Sequence, residues 1–520
     1  MQEQIFPAAA IHGAVELPGD KSISHRYAML GSIADGATRI ANYSSGADCQ
    51  STLTCIRALG VEIESHNHAV TVNGRGLEGL REAAPLLDAG NSGSTIRMLS
   101  GILAGQPFVT RIGGDESLSR RPMDRIIKPL TQMGGCIEAR DGRYPPLTIR
   151  GAKLHPIEYT LPVASAQVKS CVLLAGLYAD GKTVVHESIR TRDHTEVALR
   201  EFGVDLEVRG RSIELAGRQR LHARELRVPG DLSSAAFFLV AALIVRESAL
   251  TILNVGLNPT RTALLDFLAG MGAQIKILDV RGSGELIGDI SIRRSPIRGG
   301  VLEKAQTAAL IDEIPVLAVL GARTEEGLIV RDAAELRVKE TDRIATLAEN
   351  FERMGVEIRV REDGFEIPGR QSFHAAELDS FGDHRIAMAC AVAALAADSP
   401  SMVDGAEAAS VSFPEFFDTL RRVAGSPDGG SFTGRLGSRS EQRLSDDCGK
   451  RGPSNQRSEV GEARPNFTAQ RRSRPENRAQ HSRNQPVCGR PSPGNRKRHA
   501  ILPGLVGVFE SPENRLRARY

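Results

Sequence analysis

The stretch RPMDRIIKPLTQMGGCIEA, residues 121–139, carries the pattern that organises the chain. Apolar residues follow helical spacing up to Met133, a glycine follows, and the next residues alternate apolar and polar. Helical spacing followed by period two predicts a helix ended by a left-handed glycine and a strand directly after it. The same arrangement recurs as CQSTLTCIRALGVEIE from Cys49, RDHTEVALREFGVDLEV from Arg192, NPTRTALLDFLAGMGAQIKI from Asn258 and KETDRIATLAENFERMGVEIRV from Lys339. A sixth helix, SFPEFFDTLRRVAG from Ser412, has no strand after it. Repetition at this scale marks an architecture built from copies of one α/β unit.

A second echo places the boundary between groups of copies. LPGDKSIS from Leu17 matches VPGDLSSA from Val228, each a Pro-Gly-Asp turn into a capped apolar helix. The expected organisation is residues 1–19 with 230–424 as domain I, discontinuous in sequence, and 20–229 as domain II, with three units in each. The alternating segment AAIHGAVELPG is expected to complete the sheet of the domain that holds the sixth helix. From residue 425 to 520 the periodicity stops and Arg, Ser, Pro and Gly dominate, a composition expected to be disordered.

Length and composition agree with two domains, since 520 residues exceed what one core holds, and 41% hydrophobic with 25% charged residues is a globular balance. No apolar run approaches the roughly 18 residues of a spanning helix, and MQEQIFPAAAIHG lacks the basic and apolar regions of a signal peptide. A cytoplasmic protein without membrane association is expected. The cysteines Cys49, Cys55, Cys136, Cys171, Cys390, Cys448 and Cys488 form no CxxC pair, which argues against a zinc ribbon or a disulfide framework. Residues 425–520 carry a net charge of +10 and the first 424 carry −7, so the body of the chain has no basic surplus for nucleic acid.

Basic residues recur where helix macrodipoles disfavour them. Lys21 and Arg26 flank the start of KSISHR, Arg97 follows GNSGSTI, Arg121 precedes Pro122, which is expected to begin a helix, Lys339 and Arg343 open KETDRI, and Arg385 opens HRIAMA. Any one of them alone reads as a solvated surface charge. Together, in Gly-rich entry turns, they read as sites for phosphate or carboxylate. Asp312 in LIDEIP and Glu340 beside Lys339 are carboxylates in the same setting, placed for proton exchange. The plainer alternatives are a helix cap for Asp312 and an i to i+3 ion pair between Glu340 and Arg343.

In order along the chain, LPGDKSISHR, GNSGSTIR, SRRPMDR, ASAQVKS, TRDHTE, IDEIP, LRVKETDR and GDHRIAM resemble the signature segments of the EPSP synthase family of enolpyruvyl transferases. The resemblance spans about residues 8 to 424. It implies two similar α/β domains, each of three βαβαββ-type units arranged as an inside-out α/β barrel. It implies transfer of the enolpyruvyl group of phosphoenolpyruvate to the 5-hydroxyl of shikimate-3-phosphate, a step toward chorismate and the aromatic amino acids. No cofactor, no metal, no nucleic acid and a monomeric state are expected.

Roles follow where segments match. Lys21, Ser22, Arg26, Ser165, Gln167, Arg192, Asp312 and Lys339 are implied contacts of shikimate-3-phosphate. Lys21, Gly93, Arg121, Gln167, Arg343 and Arg385 are implied contacts of phosphoenolpyruvate. Asp312 is the implied base for the hydroxyl, and Glu340 and Lys21 the implied proton-transfer groups. Two positions depart from the pattern: Val411 stands where many members have Lys, and Ala166 where many have Ser.

Other readings are weaker. Gly74, Gly76 and Gly79 satisfy GxGxxG, but Pro85 interrupts the following segment and no acidic ribose ligand is placed for a dinucleotide. His25, His194 and His384 read as hydrogen-bonded structural histidines. The related UDP-N-acetylglucosamine enolpyruvyl transferases open with Lys-Asn where Lys21-Ser22 stands here, and their loop Cys has no counterpart between Glu116 and Arg121.

Overall fold

The glycines predicted to end helices all do so with a left-handed backbone. Gly60, Gly134, Gly203, Gly272 and Gly355 have φ of 85°, 97°, 86°, 107° and 73°, a region that costs other residues about 1 kcal/mol or more. Each closes a helix, namely Ala47–Ala58, Asp124–Gln132, His194–Glu201, Ala263–Gly270 and Arg343–Arg353, and a strand follows within a few residues. One start differs from expectation. Pro122 lies ahead of the helix rather than in it, because Glu116–Ser119 forms a separate turn of helix and leaves Arg121 in the connection.

The computed structural model describes residues 1–83, 86–282 and 284–425. The expectation of a disordered basic tail concerns residues 426–520, outside that set, as does the one about Pro85.

Five of the six units supply a four-stranded sheet of one topology, and the sixth a three-stranded one. In the clearest copy Leu87–Asp88 lies parallel to Val109–Gly113, which pairs antiparallel with Tyr144–Arg150, and that strand with Cys136–Arg140. The order repeats in the sheets centred on Lys182–His186 and on Gly327–Val330. In two sheets the first strand comes from elsewhere in the chain. Glu225–Arg227 lies parallel to Asp35–Ala41, and His12–Glu16 parallel to Ala249–Gly256. These are the strands on either side of the two crossings.

The segment around His12–Glu16 enters a sheet of the same half as the sixth helix, beside Ala249–Gly256, as expected, while the sheet nearest that helix in sequence is completed by Gln2–Ile5, antiparallel to Ser401–Asp404. Period-two alternation identifies a strand but not its partner. Here Ile11 bridges Ala424, and the residues after it must run toward the crossing at Gly19.

Two kinds of helix follow from two kinds of surface. The first helix of each unit is buried along most of its length: Lys21–Ser32, Gly93–Ala104, Ala166–Gly176, Leu232–Ile244, Ile314–Arg323 and His384–Ala394. In Leu232–Ile244 every residue is buried. The second helices, such as Asp124–Gln132 and Arg343–Arg353, bury one stripe and keep a charged face outward. The buried helices thus sit inside the sheets. Their packing yields two hydrophobic cores, one drawn from Ile23 to Val228 and the other from Ile5 to Leu17 plus Leu232 to Val423. Both cores lie in one contact-connected unit. The residues of the first are called the continuous half below, those of the second the discontinuous half.

The halves are joined by two adjacent strands of chain. Gly19 bridges Gly230, Asp20 N donates to Pro229 O at 2.8 Å, and Asp231 N donates to Pro18 O at 3.1 Å. Gly19 tolerates no side chain, since a Cβ would lie 1.8 Å from Asn42 O. Asp20 and Asp231 then cap the buried helices, accepting from Ile23 N and Ser233 N. Burial and the neighbouring Asp20 push the Asp231 carboxyl up to about 6. Asp20 is lifted by burial too, but His194 and Arg261 pull it below its usual value.

Two outcomes are expected. Every strand and helix among the described residues ends by Val423, so a chain stopped after Gly425 should unfold within about 1 °C of the full chain, the shift that about 1 kcal/mol produces at this length. The second concerns Asp231. An acid whose folded pKa is raised stabilises the fold fully below its unfolded value of 3.8 and loses that contribution as pH rises through about 6. Asp231→Asn keeps the cap and removes the titration. Denaturant titrations from pH 4 to 7 should show the variant gaining stability relative to wild type as pH rises, and a constant difference would contradict the assignment.

Candidate active site

The starts of the buried helices converge on one cleft between the halves. Lys21 is the first residue of its helix, Gly93 the first of the next, Gln167 the second of the third, and Arg385 the second of His384–Ala394. Asp312 and Glu313 immediately precede Ile314–Arg323. The caps are local: Ser92 accepts from Thr95 N at 3.1 Å, Ser165 from Val168 N at 3.4 Å and Asp383 from Arg385 N at 2.8 Å. A helix start carries partial positive charge worth about 0.3–1 kcal/mol to a nearby ion, so cations there require anionic partners.

Protein carboxylates supply part of that balance, several of them across the cleft. Glu340 Oε1 lies 3.4 Å from Arg121 Nη1 of the other half, and its Oε2 lies 2.6 Å from Arg343 Nη2. Asp312 Oδ2 lies 2.8 Å from Arg192 Nη2, also of the other half, and its Oδ1 lies 3.4 Å from Lys339 Nζ and 3.7 Å from Arg343 Nη1. Arg385 donates to the Asp312 carbonyl at 2.9 Å. Arg343 Nε lies 2.7 Å from Asp383, and Lys21 Nζ 3.0 Å from Asp48. At the rim Arg125 makes two contacts of 3.3 Å with Glu335.

Titration follows from these neighbours. Burial raises Asp312, but Lys339, Arg192, Arg385 and Arg343 outweigh it and hold the carboxyl well below its usual range. Glu340 is likewise lifted by burial and held well below that range by Arg343, Arg121, His384 and Lys21. Burial lowers the Lys21 ammonium, yet Asp48 and Glu340 leave it above its ordinary value. His384 is buried beside Lys21 and is held well below the usual histidine range.

Two guanidinium donors and one histidine ring nitrogen of the cleft have no hydrogen-bonding protein partner among the described residues. Arg121 Nε, Arg343 Nη1 and His384 Nδ1 are buried without a hydrogen-bond partner. A buried polar group left so costs about 1–3 kcal/mol, which an anionic ligand oxygen would recover. Gly93 leaves the backbone open at the same place, since a Cβ there would lie 2.9 Å from Arg97 Nη1 and 3.6 Å from Arg121 Nη1.

The sequence-predicted residues divide into three groups. Lys21, Arg121, Arg192, Asp312, Lys339, Glu340, Arg343 and Arg385 are brought into one charged network, and Gly93 lies against Arg121. Gln167 joins indirectly, accepting from Arg97 at 2.7 Å and donating to Ser94 at 2.9 Å. Ser165, Ser22 and Arg26 are tied to their own half. The Ser165 hydroxyl caps its helix, and Arg26 donates to Ser22 O, Thr195 and Ser170 at 2.7, 2.7 and 2.8 Å. Three of the five guanidinium N–H groups of Arg26 are thereby engaged. Glu340 and Arg343 do form the simple i to i+3 pair, but within the larger network. Asp312 is not a cap, since Glu313 occupies that position.

Val411 ends a 3₁₀ segment, Ala406–Val411, and its carbonyl lies against Gly46 of the other half. Position 411 therefore faces the other half but brings no cation.

Sequence reasoning missed Asp48, Asn91, Ser117 and Asp383. Asn91 Oδ1 accepts from Arg121 Nη2 at 2.6 Å and Ser117 Oγ from the same nitrogen at 3.1 Å. Only Asp383 had a signal, in the helix-entry turn before His384. Arg97 belongs to the set of helix-start cations but had no assigned role. Burial and the nearby Arg121 and Arg125 bring its pKa down to about 10. Among the described residues no group of three or more His, Cys, Asp or Glu is arranged to hold a metal ion.

Residues 5–420 match the family model for EPSP synthase (3-phosphoshikimate 1-carboxyvinyltransferase). A 3-phosphoshikimate 1-carboxyvinyltransferase of Solibacter usitatus is 65% identical over 425 residues, covering 82% of this chain and 100% of that protein. One of Koribacter versatilis is 52% identical over 422 residues, covering 81% and 98%. Among solved structures, an EPSP synthase of Acinetobacter baumannii is 42% identical with a TM-score of 0.74, covering 81% of this chain and 98% of that one. The enolpyruvyl transferase NikO of Streptomyces tendae, 18% identical with a TM-score of 0.65 over 81% and 97% of the two chains, shares the fold. The cleft between two three-unit halves is thus set within a known lineage, and this chain belongs to the EPSP synthase family.

Proposed function

We propose that the chain transfers the enolpyruvyl group of phosphoenolpyruvate to the 5-hydroxyl of shikimate-3-phosphate, releasing phosphate. The observation that carries the reading is the set of cations from both halves around two ionised carboxylates, two of the cations at buried helix starts, Arg343 at the start of Arg343–Arg353 and the others in the turns beside helices. Two small polyanionic substrates fit such a set. Lys21, Gly93, Arg121, Gln167, Arg343 and Arg385 hold phosphoenolpyruvate. Lys21, Ser22, Arg26, Ser165, Gln167, Arg192 and Lys339 hold shikimate-3-phosphate, with Asp312 facing the hydroxyl. For Arg26 this role uses the N–H groups that Ser22, Ser170 and Thr195 leave over.

In this reading Asp312 accepts the proton of the 5-hydroxyl as its oxygen attacks C2 of phosphoenolpyruvate. Lys21 or Glu340 gives a proton to C3, forming a tetrahedral ketal phosphate. Loss of a C3 proton with departure of phosphate then gives the enol ether. Arginines balance the anionic charge throughout, so the protein's main contribution is preorganised electrostatics.

Substrate arrival retunes the carboxylates. The carboxylate and phosphate of phosphoenolpyruvate compete with Glu340 for Arg121 and Arg343, the cations that hold its pKa down. Binding therefore raises Glu340 toward the range in which it can carry a proton.

The two halves act as the two domains of the enzyme, domain I of residues 1–19 and 230–424 and domain II of residues 20–229, closing around the substrates. The protein works as a cytoplasmic monomer. No single helix among the described residues is long and apolar enough to cross a membrane.

The direct test is phosphate release with both substrates and with each omitted. Release is expected only when both are present, and release from phosphoenolpyruvate alone would overturn the reading. Asp312→Asn and Glu340→Gln should each lower kcat by about 10²–10⁴-fold, the usual contribution of a general acid or base, with KM changed far less. A raised KM at unchanged kcat would make them binding groups only.

A further inference from the structure

The run TRDHTE, residues 191–196, commits every one of its side chains. Thr191 is held by Glu187, whose Oε1 accepts from Thr191 N at 3.0 Å. Thr195 Oγ1 accepts from Arg26 Nε at 2.7 Å, and Glu196 Oε1 accepts from the buried Lys169 at 2.7 Å. These contacts stay within the continuous half. The three residues between them reach across to the discontinuous half.

Arg192 reaches Asp312, as described. Asp193 Oδ1 accepts from Asn258 Nδ2 at 2.8 Å, and Asp193 N donates to Thr260 Oγ1 at 3.2 Å. His194 Nδ1 lies 2.7 Å from Glu285 Oε1, whose other oxygen accepts from Asn258 Nδ2 at 3.0 Å. Asn258 thus places its amide nitrogen between two carboxylates, one from each half. Only the NH₂ edge of an amide can face two acceptors, so its orientation follows from its partners. Asn258, Glu285 and His194 are 4%, 8% and 2% exposed, and buried polar bonds of this kind define geometry because breaking one leaves its partner unsatisfied.

We infer that Asn258, with Asp193, Glu285 and Thr260, is a positioning group for Arg192: it fastens the turn bearing this arginine to the half that carries Asp312. Arg192 belongs to one half and its anionic partner to the other. An arginine on a free turn would sample many tip positions. With both following residues pinned to the opposite half, its reach to Asp312, and to a sugar-acid phosphate bound there, is set in advance. The inference rests on the proposed role of Arg192 in holding shikimate-3-phosphate. None of the strap residues belongs to the phosphoenolpyruvate set.

The test uses the full chain with Thr260→Val, which removes the hydroxyl that accepts from Asp193 N and donates to Asn258 Oδ1, and Asn258→Leu, which removes the bridge. Each should raise KM for shikimate-3-phosphate, by about tenfold for Asn258→Leu given the usual weight of a buried hydrogen bond. KM for phosphoenolpyruvate and kcat should stay within about twofold of wild type, a difference below 0.5 kcal/mol. In an Arg192→Ala background neither substitution should cause further loss, because its effect passes through that side chain. Equal losses in both backgrounds, or an effect on phosphoenolpyruvate alone, would overturn the inference. Should wild type fail to turn over this substrate pair, the functional reading falls while the strap is still decided by hydrogen exchange in the substrate-free protein. Asn258→Leu should speed exchange at residues 191–194 with the amides of Leu232–Ile244 unchanged, and unaltered exchange at 191–194 would overturn it.

Discussion

Positive charge at the start of a helix is held in place only by negative charge nearby, and this molecule brings several such starts together. Backbone dipoles, lysine and arginines all bear on the same volume. The protein answers with Asp48, Asp312, Glu340 and Asp383, each engaged with a cation and two of them with a cation of the opposite half. The rest of the architecture serves this balance. Buried helices are largely apolar or internally paired along their length to sit inside the sheets, which leaves their ends as the places where unpaired polar groups gather. The sheets fix where those ends point, and the paired strands at Gly19 and Gly230 let two sets of ends face one another.

The same balance accounts for the state of the acid and base groups. Asp312 and Glu340 are ionised because cations surround them, although burial alone would favour their neutral forms. A substrate carrying phosphate and carboxylate would take over the cations that now serve these side chains. Binding and proton affinity are therefore coupled through shared partners, without any movement of the backbone being required.

Much of the fold was legible because its signals are local. A glycine such as Gly203 reports its left-handed turn through the residues beside it, and Pro-Gly-Asp at 18–20 and 229–231 reports the crossing in the same way. Strand partnership was less legible: Gln2–Ile5 offers four residues with one buried side chain, and its partner Ser401–Asp404 lies at the other end of the described chain. The site divides similarly. Lys21 and Arg385 announce themselves by standing where a helix dipole disfavours them, and Asp312 and Glu340 by adjacency to such places. Asp48 and Asn91 carry no such mark, since each acquires its role from a partner 27 or 30 residues away. Asn258 is further still from Asp193, 65 residues, and nothing in NPTRT distinguishes a bridge between halves from an ordinary helix entry.

The strand Gln2–Ile5 also bears on how the molecule is made. A ribosome delivers residues 20–229 as one uninterrupted piece, so the continuous half can assemble while the remainder is still being synthesised. Its counterpart cannot. The first strand emerges at once but finds its partner only after Asp404 has been added, and His12–Glu16 waits for Ala249–Gly256. During that interval the leading segment is an unpaired edge, the kind of surface that recruits other nascent chains. Glutamine and glutamate at three of its four positions make it a poor template for such pairing, so the weak strand signal that obscured its role also keeps it soluble while it waits.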